Sequence, residues 1–153
     1  VRVQIIGHRE RFSQSVSEAL ERIESKTAEG EKMTLVLALN YSSRSEITHA
    51  MRLIAQDVQN GKITAEQIDE QTICQSLFTA TMPDPDLVIR TSGECRLSNF
   101  MMWQAAYAEF YFTEVLWPDF NKEELYKAIY EYQSRQRRYG LTGEQVTNDE
   151  NTL

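Results

Sequence analysis

Residues 33–40, MTLVLALN, are a continuous apolar run that ends in asparagine. The run is too short for a good helix. It suits a strand covered on both faces, as in a parallel sheet. Upstream, residues 1–7 (VRVQIIG) are β-branched and end in glycine, which is the pattern of another strand. Between the two, Phe12, Val16, Ala19, Leu20 and Ile23 recur at helical spacing, and Gly30 is expected to end that helix.

Downstream, the spacing predicts a helix over residues 45–59, with Ile47, Met51, Ile54 and Val58 on one face and Gly61 beyond it. Thr64 opens TAEQ, a capping box for a short third helix. Pro83 and Pro85 interrupt the chain before DLVIR at 86–90, a third short strand. A further helix is expected to start near Ser98 and to run through the apolar residues 100–112. Aromatic and methionine side chains surround that helix, so core packing and a dimer interface are expected to bury it on every side. After Pro118, Asn121 and Glu124 read as the cap of a last helix carrying Leu125, Ile129, Tyr132 and Gln136, with Gly140 as its stop.

Strands alternating with helices define an α/β fold, a mostly parallel sheet flanked by helices. Three strands are few for such a sheet, since about 4–6 are usual. The others are expected before Val1 or on a partner chain. A chain that opens on Val-Arg-Val instead of Met also reads as one that has lost its beginning. Residues 1–140 are read as part of one domain, and 141–153 as a polar, disordered tail.

Composition narrows the chemistry. With 153 residues, 41% hydrophobic and 25% charged, the chain is an ordinary globular one, and its net charge of −7 disfavours nucleic acid as a partner. An anionic ligand therefore needs a local basic cluster. Cys74 and Cys95 lie far apart without CxxC spacing, which points to a reducing, cytoplasmic setting and to neither a disulfide framework nor a zinc site. The longest apolar stretch, residues 100–112, falls short of the ~20 residues a membrane helix needs. His8 and His49 have no partners at metal-ligand spacing and are given no role.

The most informative segment is RTSGECRLSN, residues 90–99. Ligands of open parallel sheets bind at the carboxyl ends of strands, and Arg90 stands at such an end. Arg96 brings a second guanidinium, the Thr-Ser-Gly turn lets backbone approach a ligand, and Ser98 opens the expected helix. Together they can cradle a diphosphate. Equally, Arg90 and Arg96 can be surface ion-pair partners of Glu94 or Asp86. Glu109 lies inside an apolar stretch, where an unpaired charge is costly, so it needs a partner arginine or a metal.

RTSGECRLSNFMMWQAAYAEFYF followed by VLWPDF resembles the signature of the cis-prenyltransferase family, of the undecaprenyl diphosphate synthase kind. LNYSSRSEI resembles that family's asparagine-tyrosine-two-small-residues-arginine segment, and the closing RRYG its Arg-x-Gly tail. The resemblance runs in order from Val1 to Gly140. It implies a transferase that condenses isopentenyl diphosphate onto an allylic diphosphate such as farnesyl diphosphate, with a new cis double bond. The product would be an undecaprenyl-type lipid carrier precursor, released to the membrane, with the enzyme at most peripheral at the inner membrane face.

The resemblance also implies that Arg90, Arg96 and Ser98 hold the isopentenyl diphosphate, with Glu94 supporting. Glu109 would help to place Mg2+ across the interface of a homodimer. Arg138 and Gly140 would close the neighbouring subunit's site. Asn40 and Arg44 would support the site, although Asn40 reads equally well as a turn residue and Arg44 as a helix-start ion pair. Met33 or Leu35, on one face of their strand, would line the far end of a product tunnel.

Three departures from the family pattern stand out. The Asp-Gly-Asn motif expected to bind the allylic diphosphate and magnesium is absent from these residues, so the chain alone is expected to be inactive. Ser42-Ser43 stand where paired glycines are common, and His8 where an aspartate often follows the strand. A competing reading makes the chain a non-catalytic subunit of a heteromeric prenyltransferase.

Overall fold

The computed structural model describes residues 1–135; the expectations for Gln136, Arg138, Gly140 and the 141–153 tail lie outside the described residues. The chain forms two compact units. The first is Val1–Pro83 with Ser98–Met102, and the second, among the described residues, is Asp84–Leu97 with residues 103–135.

In the first unit, β1 (Arg2–Ile6) and β2 (Thr34–Ala38) pair in parallel, Val3 opposite Leu35 and Ile5 opposite Leu37. The connection is α1 (Gln14–Thr27), preceded by a 3-10 turn at Arg9–Arg11. Gly7, at φ 113°, follows β1 because a Cβ there would stand 2.0 Å from the Leu39 carbonyl oxygen. Val3, Ile5 and Ile6 are buried. On the side of β1 away from β2, the Val3 N–H donates to Thr27 Oγ1 (2.9 Å) and the Ile5 N–H to Glu24 Oε1 (2.9 Å). Arg9 grips the same Glu24 through both terminal nitrogens (2.7 Å each) and also donates to the Ile5 carbonyl (2.9 Å). Side chains of α1 therefore satisfy backbone groups that a further strand would otherwise take.

β2 is not covered on both faces among the described residues: Leu35 is 47% and Met33 56% exposed. α2 (Ser43–Gln59) is capped by Ser42 Oγ and starts two residues earlier than the spacing suggested. Its buried face is Ser43, Glu46, Ala50 and Ile54, while Met51 points outward. The stripe is thus turned from the expected one because a carboxylate, Glu46, takes a core position. The TAEQ box caps only a 3-10 turn, Ala65–Gln67; the helix proper, α3 (Glu70–Ser76), has its own box from Asp69 to Thr72.

In the second unit, β3 (Leu87–Arg90) pairs in parallel with β4 (Glu109–Phe112), Leu87 opposite Glu109 and Arg90 opposite Phe112. This fourth strand replaces the helix expected over residues 100–112. Ser98, Asn99 and Met101 have φ of 50°, 62° and 45°, which stop any helix there. A 3-10 turn at Gln104–Tyr107 follows, and Glu-Phe-Tyr-Phe takes the extended form that its aromatics favour. α4 (Lys122–Ser134) is capped by Asn121 Oδ1 on the Glu123 and Glu124 amides and ends at Ser134, before Gly140 is reached. No helix among the described residues is long and apolar enough to cross a membrane.

Candidate functional site

Arg90 closes β3, and its carbonyl accepts from the Thr113 N–H (3.0 Å) in the chain leaving β4. It is half-buried, and among the described residues its guanidinium has no hydrogen bond or ion pair. The turn that follows is spoken for. Ser92 N–H donates to the Val115 carbonyl (2.8 Å) and Gly93 N–H to that of Thr113 (2.9 Å). Those amides cannot also meet a phosphate, which corrects the picture of a backbone turn open to ligand. Gly93, at φ 68°, is pressed against Glu114, whose Oε2 would lie 2.4 Å from an added Cβ.

Arg96 is mostly exposed and pairs with Glu94 at 2.5 Å, so one of the two arginines follows the ion-pair reading as it stands. An exposed pair of this kind is worth little and gives way readily to a better anion. Ser98 belongs to the other compact unit, is exposed, and starts no helix. The helix-terminus part of the expected cradle is therefore withdrawn. Its hydroxyl is left without a partner among the described residues.

Glu109 is the first residue of β4 and no part of a helix. Its Oε2 accepts from Arg135 Nη1 (3.0 Å), which also donates to the Phe110 carbonyl (2.7 Å), while Nη2 pairs with Glu131. The buried-charge problem is thus met by an arginine. The Arg135 guanidinium is pushed above its ordinary range by these carboxylates, Glu109 first. No group of three or more His, Cys, Asp or Glu among the described residues could hold a metal. A lone carboxylate with Oε1 unengaged still fits Mg2+, which takes few carboxylates beside phosphate oxygens and water.

Asn40 sits at φ 48°, accepts from the His8 N–H (3.4 Å), and its Nδ2 donates to the His8 carbonyl (3.0 Å). It ties the ends of β1 and β2 together, as the turn reading held. Arg44 is exposed at the start of α2, where its backbone amide donates to Asn99 Oδ1 (2.9 Å).

Two clusters escaped sequence reasoning. Glu46 is fully buried, accepting from Tyr41 Oη (2.5 Å) and the Phe78 amide (2.9 Å). Burial first, then this carboxylate, push the Tyr41 phenol far above its ordinary range. His8 Nε2 lies 2.6 Å from Ser45 Oγ and Nδ1 2.9 Å from Glu10 Oε1. The amides of Ser43, Arg44, Ser45 and Glu46 are all bonded to Asn99 or Ser42, so none of these four is free to serve Ser45 as an oxyanion donor. An apolar-periodicity reading counts Glu46 as surface, and no local spacing joins His8 to Ser45.

Parallel strand pairs joined to helices, with Arg90 at the carboxyl end of one pair, define an α/β protein. The chain belongs to the prenyltransferase family described as undecaprenyl diphosphate synthase, whose model matches residues 1–140. It is 51% identical over 146 residues to an isoprenyl transferase of Agrobacterium fabrum, covering 95% of this chain and 59% of that protein. It is 45% identical over 146 residues to the ditrans,polycis-undecaprenyl-diphosphate synthase ((2E,6E)-farnesyl-diphosphate specific) of Aliivibrio fischeri, covering 95% and 57%. Lavandulyl diphosphate synthase of Lavandula x intermedia, crystallised with dimethylallyl diphosphate, matches with a TM-score of 0.88 at 38% identity over 91% of this chain and 60% of that one. The chain thus spans less than two thirds of the length of these relatives.

Proposed function

We propose that the protein carrying this chain condenses isopentenyl diphosphate onto an allylic diphosphate, farnesyl diphosphate or a close relative, and builds a cis-polyprenyl diphosphate of the undecaprenyl kind. The observation that carries the reading is Arg90, half-buried at the end of β3 and without a partner among the described residues. A guanidinium in that state is poised for a phosphate. The family relationship supplies the substrate class.

In this reading Arg90 and Arg96 bind the diphosphate of isopentenyl diphosphate and the Ser98 hydroxyl donates to it. Arg96 exchanges Glu94 for the ligand, and Glu94 remains beside it as counter-charge. Arg138 and Gly140 close over the same diphosphate from a second subunit of a homodimer. Glu109 offers Oε1 to Mg2+, which when bound stabilises charge on the departing allylic diphosphate. So oriented, C4 of isopentenyl diphosphate bonds to the allylic carbon as diphosphate leaves, and loss of a C2 proton fixes the cis double bond. Positioning carries most of the rate. The lengthening tail is apolar, and the exposed Met33 and Leu35 offer it a surface. The product leaves to the membrane from an enzyme that works in the cytoplasm.

The test is incorporation of labelled isopentenyl diphosphate onto farnesyl diphosphate with magnesium. It compares the full in-frame gene product, its Arg90→Ala variant and this chain alone. Activity in the full product, lost with Arg90, supports the reading; this chain alone is expected to be silent. Silence from the full product overturns it and favours a non-catalytic subunit.

A further inference from the structure

Ser98 is followed by a backbone that ordinary residues avoid. Ser98, Asn99 and Met101 all have left-handed φ, and none is glycine. Such a conformation persists only where its surroundings hold it. Here the holder is the first turn of α2. The Ser43 amide donates to the Asn99 carbonyl (2.8 Å), the Arg44 amide to Asn99 Oδ1 (2.9 Å), and the Met102 amide to Ser43 Oγ (3.0 Å). Ser43 is completely buried, and the Tyr41 ring meets Phe100 edge-on at 5.6 Å. Two helix-start amides, which elsewhere bind anions, are thus turned inward on one residue. The Ser43 hydroxyl adds a third bond that a glycine could not make.

We propose that Ser43 and Asn99 are positioning residues: they lock the strained backbone on both sides of residue 99 and so hold the Ser98 hydroxyl ready for the isopentenyl diphosphate. Neither touches substrate. The inference rests on the role given to Ser98 under the proposed function. Without the lock, residues 98–101 relax towards commoner backbone angles and the hydroxyl swings away from its place. Binding of that one substrate weakens, while the allylic substrate, held elsewhere, is spared.

The experiment uses the full in-frame protein with Asn99→Ala, Asn99→Asp and Ser43→Ala. Steady-state kinetics are measured for each substrate, and circular dichroism checks that each variant is folded. For Asn99→Ala and Ser43→Ala the KM for isopentenyl diphosphate should rise about tenfold or more. The KM for farnesyl diphosphate should stay within about twofold. Asn99→Asp keeps an acceptor for the Arg44 amide and should recover most of the loss. Equal changes for both substrates, or none, overturn the proposal. If the unaltered protein incorporates no label, the functional reading fails first. Calorimetric titration with isopentenyl diphosphate then decides the lock: equal affinity, or no binding by either protein, overturns it, and weaker binding by Asn99→Ala upholds it.

Discussion

Arg135 Nη1 stands 3.0 Å from Glu109 Oε2 and 2.7 Å from the Phe110 carbonyl, so the residue just past α4 is fastened to the first turn-in of β4. Replacing Arg135 by Gln strips a charged donor from three acceptors at once, Glu109, the Phe110 carbonyl and Glu131. The second unit should lose about 1–3 kcal/mol, read as a lower urea midpoint. Glu109→Gln should cost less stability, since a neutral amide oxygen still accepts. It should nevertheless lower magnesium-dependent kcat/KM of the full protein about a hundredfold. Variants that lose stability and activity in the same order would contradict the separate roles given to the two residues.

The Glu24 carboxyl is held below its ordinary value of 4.5, first by the Arg9 side chain, with burial opposing and the Ile5 amide assisting. A depressed folded value means that the unfolded chain binds the proton more readily. The stabilisation is therefore complete above about pH 4.5 and disappears as pH falls through the folded value. Urea unfolding at stepped pH should show this decline in the native protein and a flatter one in Glu24→Gln. Parallel curves would show that the pair contributes nothing.

Glu46 and Tyr41 predict a spectroscopic result. The Tyr41 phenol, half-buried and donating to a carboxylate, should titrate well above the ordinary tyrosine range. Alkaline difference absorbance should show one tyrosine ionising only as the fold opens, and Tyr41→Phe should remove that late step. Glu46→Ala, leaving the Tyr41 hydroxyl and the Phe78 amide without their acceptor, should destabilise the first unit by about 2–5 kcal/mol.

Gly7 and Gly61 form a matched pair of left-handed glycines. An added Cβ at Gly7 strikes backbone at 2.0 Å, whereas Gly61 has nothing within 4 Å. Gly61→Ala should cost about 1 kcal/mol, from the backbone angle alone. Gly7→Ala should cost clearly more and separate β1 from the end of β2, with exposure of the Val3–Ile6 amides seen by hydrogen exchange.

The alternation of strands and helices was legible because β1, β2 and β3 are short apolar runs with turn residues at their ends, and α2 and α4 carry hydroxyl or amide caps. Residues 98–112 were not. Their composition is apolar in every register, so periodicity could not separate helix from strand, and three left-handed residues leave no mark in a sequence without glycine at those places. Arg90 could be placed because strand ends are readable. The engagement of the Ser92 and Gly93 amides could not, since their acceptors lie about twenty residues onward and answer to the pairing of β3 with β4. Glu46 was missed for the opposite reason: a carboxylate at a core position contradicts the hydrophobic pattern used to find cores.

The side chains that α1 lays along β1 make the first sheet one-sided. A strand arriving at β1 would have to evict Thr27 and Glu24 from the Val3 and Ile5 amides and break the Arg9 clasp, whereas β2 carries no comparable guard among the hydrogen bonds described. Lateral growth of this sheet therefore has a direction written into it. The same guard denies stray chains a template along β1 during folding, so unwanted edge-to-edge association must begin at β2.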